Sequence, residues 1–128
     1  MQDTFFGDVI HKYTRAQAIN DGVLVDLSAR YPDEVRRLYK YPVAVSAGVW
    51  GIIEAAVAAG VGNDYAGVVW DLLFMSQMMV TRRFGPSEHL FEVIITGAGP
   101  NEYFNFKVIC GPGDDAEGVV TIMLPNED

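Results

Sequence analysis

Two histidines, one cysteine and a short run holding three carboxylates are the side chains best suited to chemistry in this 128-residue chain. Asp114, Asp115 and Glu117 lie in Gly111-Pro112-Gly113-Asp114-Asp115-Ala116-Glu117. Carboxylate oxygens are the ligands that Ca²⁺ and Mg²⁺ take, but the run lacks the oxygen count and the later Glu of an EF-hand loop. A solvated hairpin loop accounts for it through the turn preferences of Gly, Pro and Asp. His11 and His89 are chemically able to act as general bases. Neither has a Ser, Cys or carboxylate at a spacing that marks a nucleophile–base pair, so both read as surface or structural histidines. Cys110 alternates in phase with Phe104, Phe106 and Val108. On that face it behaves as a small hydrophobe, and burial raises a thiol pKa, which opposes nucleophilic use. Gly97-Ala98-Gly99 follows a strand pattern, but no helix start and no Lys-Ser/Thr follow it, as a phosphate loop requires. No catalytic residue, metal site or cofactor is therefore expected.

Charge is distributed unevenly. From Phe84 to Asp128 there are eight acids and one base, Lys107, for a net −7. Residues 1–40 balance six acids against six bases, and residues 41–83 sum to −1. Such an asymmetry gives a directional field that favours a basic partner and disfavours free nucleic acid. The acids assigned to partner binding on this ground are Glu102, Asp114, Asp115, Glu117, Glu127 and Asp128. The competing account is a solvated acidic face that keeps a small protein soluble. Arg36, Arg37 and Lys40, with Tyr39 and Tyr41 interleaved, form the one basic-aromatic patch. Nucleic-acid contact through it is the alternative to cations at a helix C-terminus. An acidic pI near 4.5 argues against direct DNA or RNA binding.

The elements that position these residues read as one domain over residues 1–128, a length suited to a single core. Half the residues are hydrophobic and a fifth are charged, which excludes disorder. No apolar run is long enough for a membrane span. The N-terminus carries acids where a signal peptide needs bases, and a single cysteine fits a reducing compartment, so a cytoplasmic protein is expected.

Thr14 with Gln17 forms a capping box for a helix over Arg15–Asn20, ended by Asp21-Gly22. Val23 to Leu27 alternates as a short strand and Ser28 to Tyr31 reads as a loop. Pro32 opens a short helix, and Tyr41-Pro42 stops it. Val43-Ala44-Val45 is short and extended. Ser46 caps a helix over Ala47–Ala59, in which Gly48 and Gly51 cost stability or admit a close neighbour. Asp64 caps the longest helix, about Tyr65–Arg83, whose apolar residues cover more than half its circumference. It is either a core element or a homodimer interface, with Phe74, Met75, Met78 and Met79 as a soft apolar group. Period-2 alternation then marks three strands, Leu90–Thr96, Tyr103–Cys110 and Val119–Leu124. The expected fold is α+β: a C-terminal three-stranded antiparallel meander with the N-terminal and central helices packed on one face.

Four blocks carry a resemblance. They are Tyr13–Ile19 with Asp21–Ser28, Tyr41–Val45 running into Val49-Trp50, Val69–Leu73, and Cys110–Asp115 with Val120–Pro125. The pattern resembles a family of small uncharacterised proteins of bacterial plasmids, phages and integrated mobile elements. That resemblance implies no activity and no inherited site residue. It implies a setting in mobile DNA, where small acidic proteins block host defence by binding a nuclease or a CRISPR complex. The expectation is therefore a non-catalytic acidic protein that inhibits a CRISPR or restriction complex through a basic surface. The alternatives are a small nucleotide-modifying or hydrolytic enzyme and an accessory homodimer.

Overall fold

A computed structural model of the protein describes residues 13–80 and 87–127. The first helix, α1 (Arg15–Asn20), leads into strand β1 (Leu24–Asp26), the single-turn helix α2 (Leu27–Arg30) and α3 (Pro32–Leu38). Strand β2 (Val43–Ser46), helices α4 (Ala47–Ala58) and α5 (Tyr65–Val80), and strands β3 (Ser87–Ile94), β4 (Tyr103–Pro112) and β5 (Gly118–Met123) follow. Local chemistry sets the starts as expected. The Thr14 hydroxyl accepts from Gln17 N–H while the Gln17 side chain accepts from Thr14 N–H, a reciprocal capping box. Ser46 caps α4 by accepting from Val49 N–H at 3.3 Å. The Asp64 carboxylate accepts from Gly67 N–H at 3.0 Å near the start of α5. The expected extension of α5 to Arg83, with its stop at Gly85-Pro86, and His11 lie outside the described residues.

The strands form one mixed sheet of five, in the order β1-β2-β5-β4-β3. The expected meander β3-β4-β5 is present and antiparallel. The sheet does not end there: β5 also pairs in parallel with β2, and β2 in antiparallel fashion with β1. This corrects the expectation of a three-stranded sheet confined to the C-terminal part. The Val43-Ala44-Val45 segment is a sheet strand buried on both faces, and such strands show continuous apolar runs without alternation. Two local readings are also corrected. Leu27 belongs to a helix, because the Asp26 carboxylate accepts from Ala29 N–H at 3.2 Å and turns the chain out of β1. The expected loop Ser28–Tyr31 is thereby mostly that helical turn.

One row of side chains crosses the whole sheet on its inner face: Val25, Val45, Ile122, Val108 and His89. The next two rows hold Phe106 opposite Phe91 and Phe104 opposite Val93. Helix α4 lies over β1, β2 and β5, and α5 lies over β3, with α3 against α5. Leu72, Leu73, Ile53 and Val49 close the core from the helical side, and all are fully buried. Phe106 is fully buried, with the Phe91 and Phe104 rings at 5.9 and 6.1 Å between centroids. Not every helix sits on this face. The Arg15 guanidinium of α1 donates to Thr121 Oγ1 at 2.6 Å, and Thr121 lies on the outer face with Ala44 and Ile109.

Glycine allows two close approaches. A Cβ on Gly48 would stand 2.8 Å from Leu124 Cδ1, so the C-terminal turn lies directly against the start of α4. Gly51 has nothing within 4 Å and makes no such approach. Gly97, at φ +97°, puts its backbone against Val61 and Ala59, where a Cβ would meet Val61 Cγ2 at 2.9 Å. Gly97 thus packs the β3–β4 loop onto the end of α4, and Asn63 Nδ2 bridges the two by donating to Thr96 O at 2.7 Å and Ala56 O at 3.3 Å.

Phe106→Ala is expected to cost about 3–5 kcal/mol, because it empties a site bounded by two other rings. Urea titration checks this, and a loss below about 1 kcal/mol would contradict the assigned core face.

Candidate functional site

The six acids singled out from sequence do not form one patch. Strand β4 has ten residues and separates Glu102 at one end from the Asp114, Asp115 and Glu117 loop at the other. At roughly 3.3 Å per residue that separation is about 30 Å. Charges so far apart act independently, since screening at physiological salt has a length of about 8 Å.

Asp114 is held by internal hydrogen bonds. Its two carboxylate oxygens accept from Arg15 N–H at 2.8 Å and Ala16 N–H at 3.0 Å. These are free first-turn donors of α1, so Asp114 caps that helix from across the chain, alongside Thr14. The two backbone hydrogen bonds hold the Asp114 carboxyl below the usual aspartate range, with the Arg15 charge adding a little. Arg15 itself spans to β5, donating to Thr121 Oγ1 and to Val120 O at 2.9 Å. Around Asp114 the loop is closed on itself. Gly113 N–H donates to Glu117 O at 2.6 Å, the Glu117 side chain accepts from Asp115 N–H at 2.9 Å, and Ala116 sits at φ 65°. Asp115 and Glu117 are exposed.

Glu127 is also engaged. Its carboxylate accepts from the Ser46 hydroxyl at 2.6 Å and from Leu124 N–H at 2.7 Å. Its carbonyl accepts from Lys107 Nζ. Lys107, the one base in the acidic third, is thus buried under the C-terminal turn. Asp128 lies outside the described residues.

Glu102 is exposed and makes no side-chain hydrogen bond among the described residues, while its carbonyl accepts from Ile95 N–H at 2.9 Å. It adjoins a surface that the sequence-based set omitted. Glu88, Leu90, Glu92 and Ile94 alternate along the outer face of β3, and all four are exposed. Ile94 stands opposite Tyr103, and Glu92 opposite Asn105. Leu90, Ile94 and Tyr103 are each more than half exposed. The signal for this surface was present in the alternation: with Phe91, Val93 and Ile95 turned inward, the even residues had to face outward.

The residues weighed for catalysis come closer than their sequence spacing suggests. Ser87 stands opposite Cys110, and His89 lies two residues along on the same face of β3. Burial pushes the Cys110 thiol up, and a hydrogen bond with Ser87 only partly offsets it. That direction is opposite to thiolate activation. The His89 Nε2 atom is buried and has no hydrogen-bond partner among the described residues. Among the described residues, no group of three or more His, Cys, Asp or Glu is placed to hold a metal ion.

The basic-aromatic patch does not assemble. Arg36 pairs with Asp33, while Tyr39 is buried with its hydroxyl 2.8 Å from Ser76 Oγ, where burial raises its pKa well above the usual range. Tyr41 lies against Gly118. The aromatic cluster of the helical layer is elsewhere. Trp50 stacks on Tyr65 at 5.5 Å and carries the Arg30 guanidinium at 5.3 Å. Phe74, Met75, Met78 and Met79 are exposed on α5. No helix among the described residues is long and apolar enough to cross a membrane.

The fold is α+β with one mixed five-stranded sheet, and a family assignment covers the whole chain. The protein belongs to DUF6573, a family of unknown function, whose model matches residues 1–128. No match was found among curated proteins or among solved structures.

Asp114→Ala is expected to lower the melting temperature at pH 7. The folded carboxyl is depressed, so its contribution is present above the unfolded value of about 3.9 and lost as pH falls through the folded value. The gap between wild type and variant should therefore narrow as pH drops below the ordinary aspartate range. Identical melting at pH 7 would show that the cap on α1 contributes nothing.

Proposed function

We propose that the protein works by binding a basic protein partner through the outer face of β3 and the adjoining β3–β4 loop. The observation that carries this is the exposed set Glu88, Leu90, Glu92, Ile94, Glu102 and Tyr103, which combines acids with apolar and aromatic side chains along β3, the start of β4 and the loop between them. Acids raise association rates with a basic surface, and Tyr with aliphatic side chains supplies the desolvated contact area that holds a complex together. Nucleic-acid-processing complexes present Lys/Arg channels for phosphate. In this proposal a defence complex of the CRISPR or restriction type is the partner, and occupying its channel is the inhibitory act. The acids are not spaced like phosphates along an extended face, so the recognition is of a protein surface and not mimicry of DNA.

A second reading rests on α5. Its exposed Phe74, Met75, Met78 and Met79 form an adaptable apolar group of the kind that mediates homodimers. Sedimentation equilibrium separates the two, since the first reading requires no self-association.

Affinity capture from the host identifies the partner. Reversing Glu88, Glu92 and Glu102 to Lys should then slow association about tenfold or more, and added salt should slow the unaltered protein in the same direction. Reversing the exposed helix acids Glu54 and Asp71 is the control. Equal binding by both sets of variants, or indifference to salt, would rule out the proposed surface.

A further inference from the structure

Strand β3 is the last strand of the sheet, and among the described residues nothing pairs with its outer edge. The direction of its backbone groups follows from one hydrogen bond. Ile95 N–H donates to Glu102 O at 2.9 Å, in the register that pairs Ile94 with Tyr103. In an antiparallel ladder bonded residues alternate, so the odd residues of β3 bond to β4. The N–H and C=O groups of Glu88, Leu90, Glu92 and Ile94 therefore point to the open edge. The same four residues turn their side chains to the exposed outer face. Natural edge strands are usually blunted by charged side chains, Lys above all, by Pro or by a bulge; the charges here are Glu88 and Glu92, which repel an acidic strand but not a basic one. Ser87–Ile94 contains neither Lys nor Pro, and it keeps an unbroken one-to-one register with β4 over eight residues.

Resting on the reading that the partner is basic, we infer that β3 accepts a strand of that partner at this edge. The incoming strand carries Lys or Arg opposite Glu88 and Glu92, and apolar residues opposite Leu90 and Ile94. Main-chain hydrogen bonds supply affinity in such strand addition, and the alternating side chains supply specificity. Opposite charges directly across a strand pair stabilise it and like charges destabilise it. A second copy of this chain fits the same edge less well. An antiparallel pairing centred on Leu90 sets Glu88 against Glu92 of the other copy, and one centred on Glu92 sets the two Glu92 side chains together. Centring on Phe91 places each Glu against an aliphatic side chain with no base, and each chain carries a net charge of −8.

The test uses the full chain and a nine-residue Lys–Val peptide, Lys-Thr-Val-Thr-Lys-Thr-Val-Thr-Lys, in which Lys and Val alternate along one face of the strand because side chains have period 2; the Glu–Val peptide, with Glu in place of each Lys, is the control. Amide hydrogen exchange is read by NMR. The Lys–Val peptide should slow exchange at Leu90, Glu92 and Ile94 and leave Phe91 and Val93, already bonded to β4, little changed. Glu88→Lys with Glu92→Lys should weaken peptide binding roughly tenfold or more. Leu90→Pro removes an edge donor without touching a β4 hydrogen bond, and should weaken it as well. If that variant does not fold, the exchange pattern of the unaltered protein decides. No added protection at the even residues, equal binding of the Glu–Val peptide, or protection that rises with protein concentration alone would each overturn the inference. If the captured partner still depends on Glu88 and Glu92 while the even amides stay unprotected, the edge docking fails and the acidic surface stands. If the partner ignores both acids, the surface reading fails too.

Discussion

The parallel pairing of β2 with β5 is the constraint on which the rest of the structure depends. Val43, Ala44 and Val45 stand opposite Val120, Thr121 and Ile122, and Val120 N–H donates to Pro42 O at 2.8 Å. Parallel neighbours cannot be joined by a tight turn, so a long connection must leave β2 and return. Here that connection is α4, α5, β3 and β4, and it supplies both the helical cover of the sheet and the strands that extend it. Because β2 and β5 sit inside the sheet, Val43, Val45, Val120 and Ile122 are almost wholly buried and tie the segment before α4 and the segment after β4 into one core.

The acidic third of the sequence divides once this frame is in place. Asp114 holds α1 against the β4–β5 loop, and Glu127 ties the C-terminal turn to Ser46, itself the cap of α4. Each of these carboxylates satisfies backbone donors that would otherwise be unpaired near a helix or turn end. Glu88, Glu92 and Glu102 have no such duty among the hydrogen bonds of the described residues; Glu88 and Glu92 share the outer face of β3 with Leu90 and Ile94, and Glu102 lies in the adjoining β3–β4 loop. The same residue type thus has two physical roles, separated by whether a backbone N–H lies within reach.

Much of the fold was legible in the sequence because its signals are local. The capping box at Thr14 and Gln17, the Ser46 cap and the alternation through Phe104, Phe106 and Val108 each involve residues within a few positions of one another. What escaped was set by distant contacts. Val43–Ser46 has no alternation because both its faces are covered, so nothing local marked it as a central strand. Leu27 continued the phase of Val23 and Val25, yet the Asp26 cap turned it into a helix. The duties of Asp114 and Glu127 were hidden for the same reason, since their partners Arg15 and Ser46 lie far away in sequence. A charge count treats every acid alike and cannot separate a capping carboxylate from a free one. The exposed β3 row was readable from period 2, but a ranking by charge density favoured the loop.

The division of the acids is the central claim, and urea denaturation of two variants tests it most directly. One variant replaces Asp114 and Glu127 with Ala; the other replaces Glu88, Glu92 and Glu102 with Gln. The account predicts a clear fall in the midpoint for the first and an unchanged or slightly higher midpoint for the second, since surface carboxylates without partners contribute little to folding and repel one another. Equal losses in the two variants, or a greater loss in the second, would contradict it.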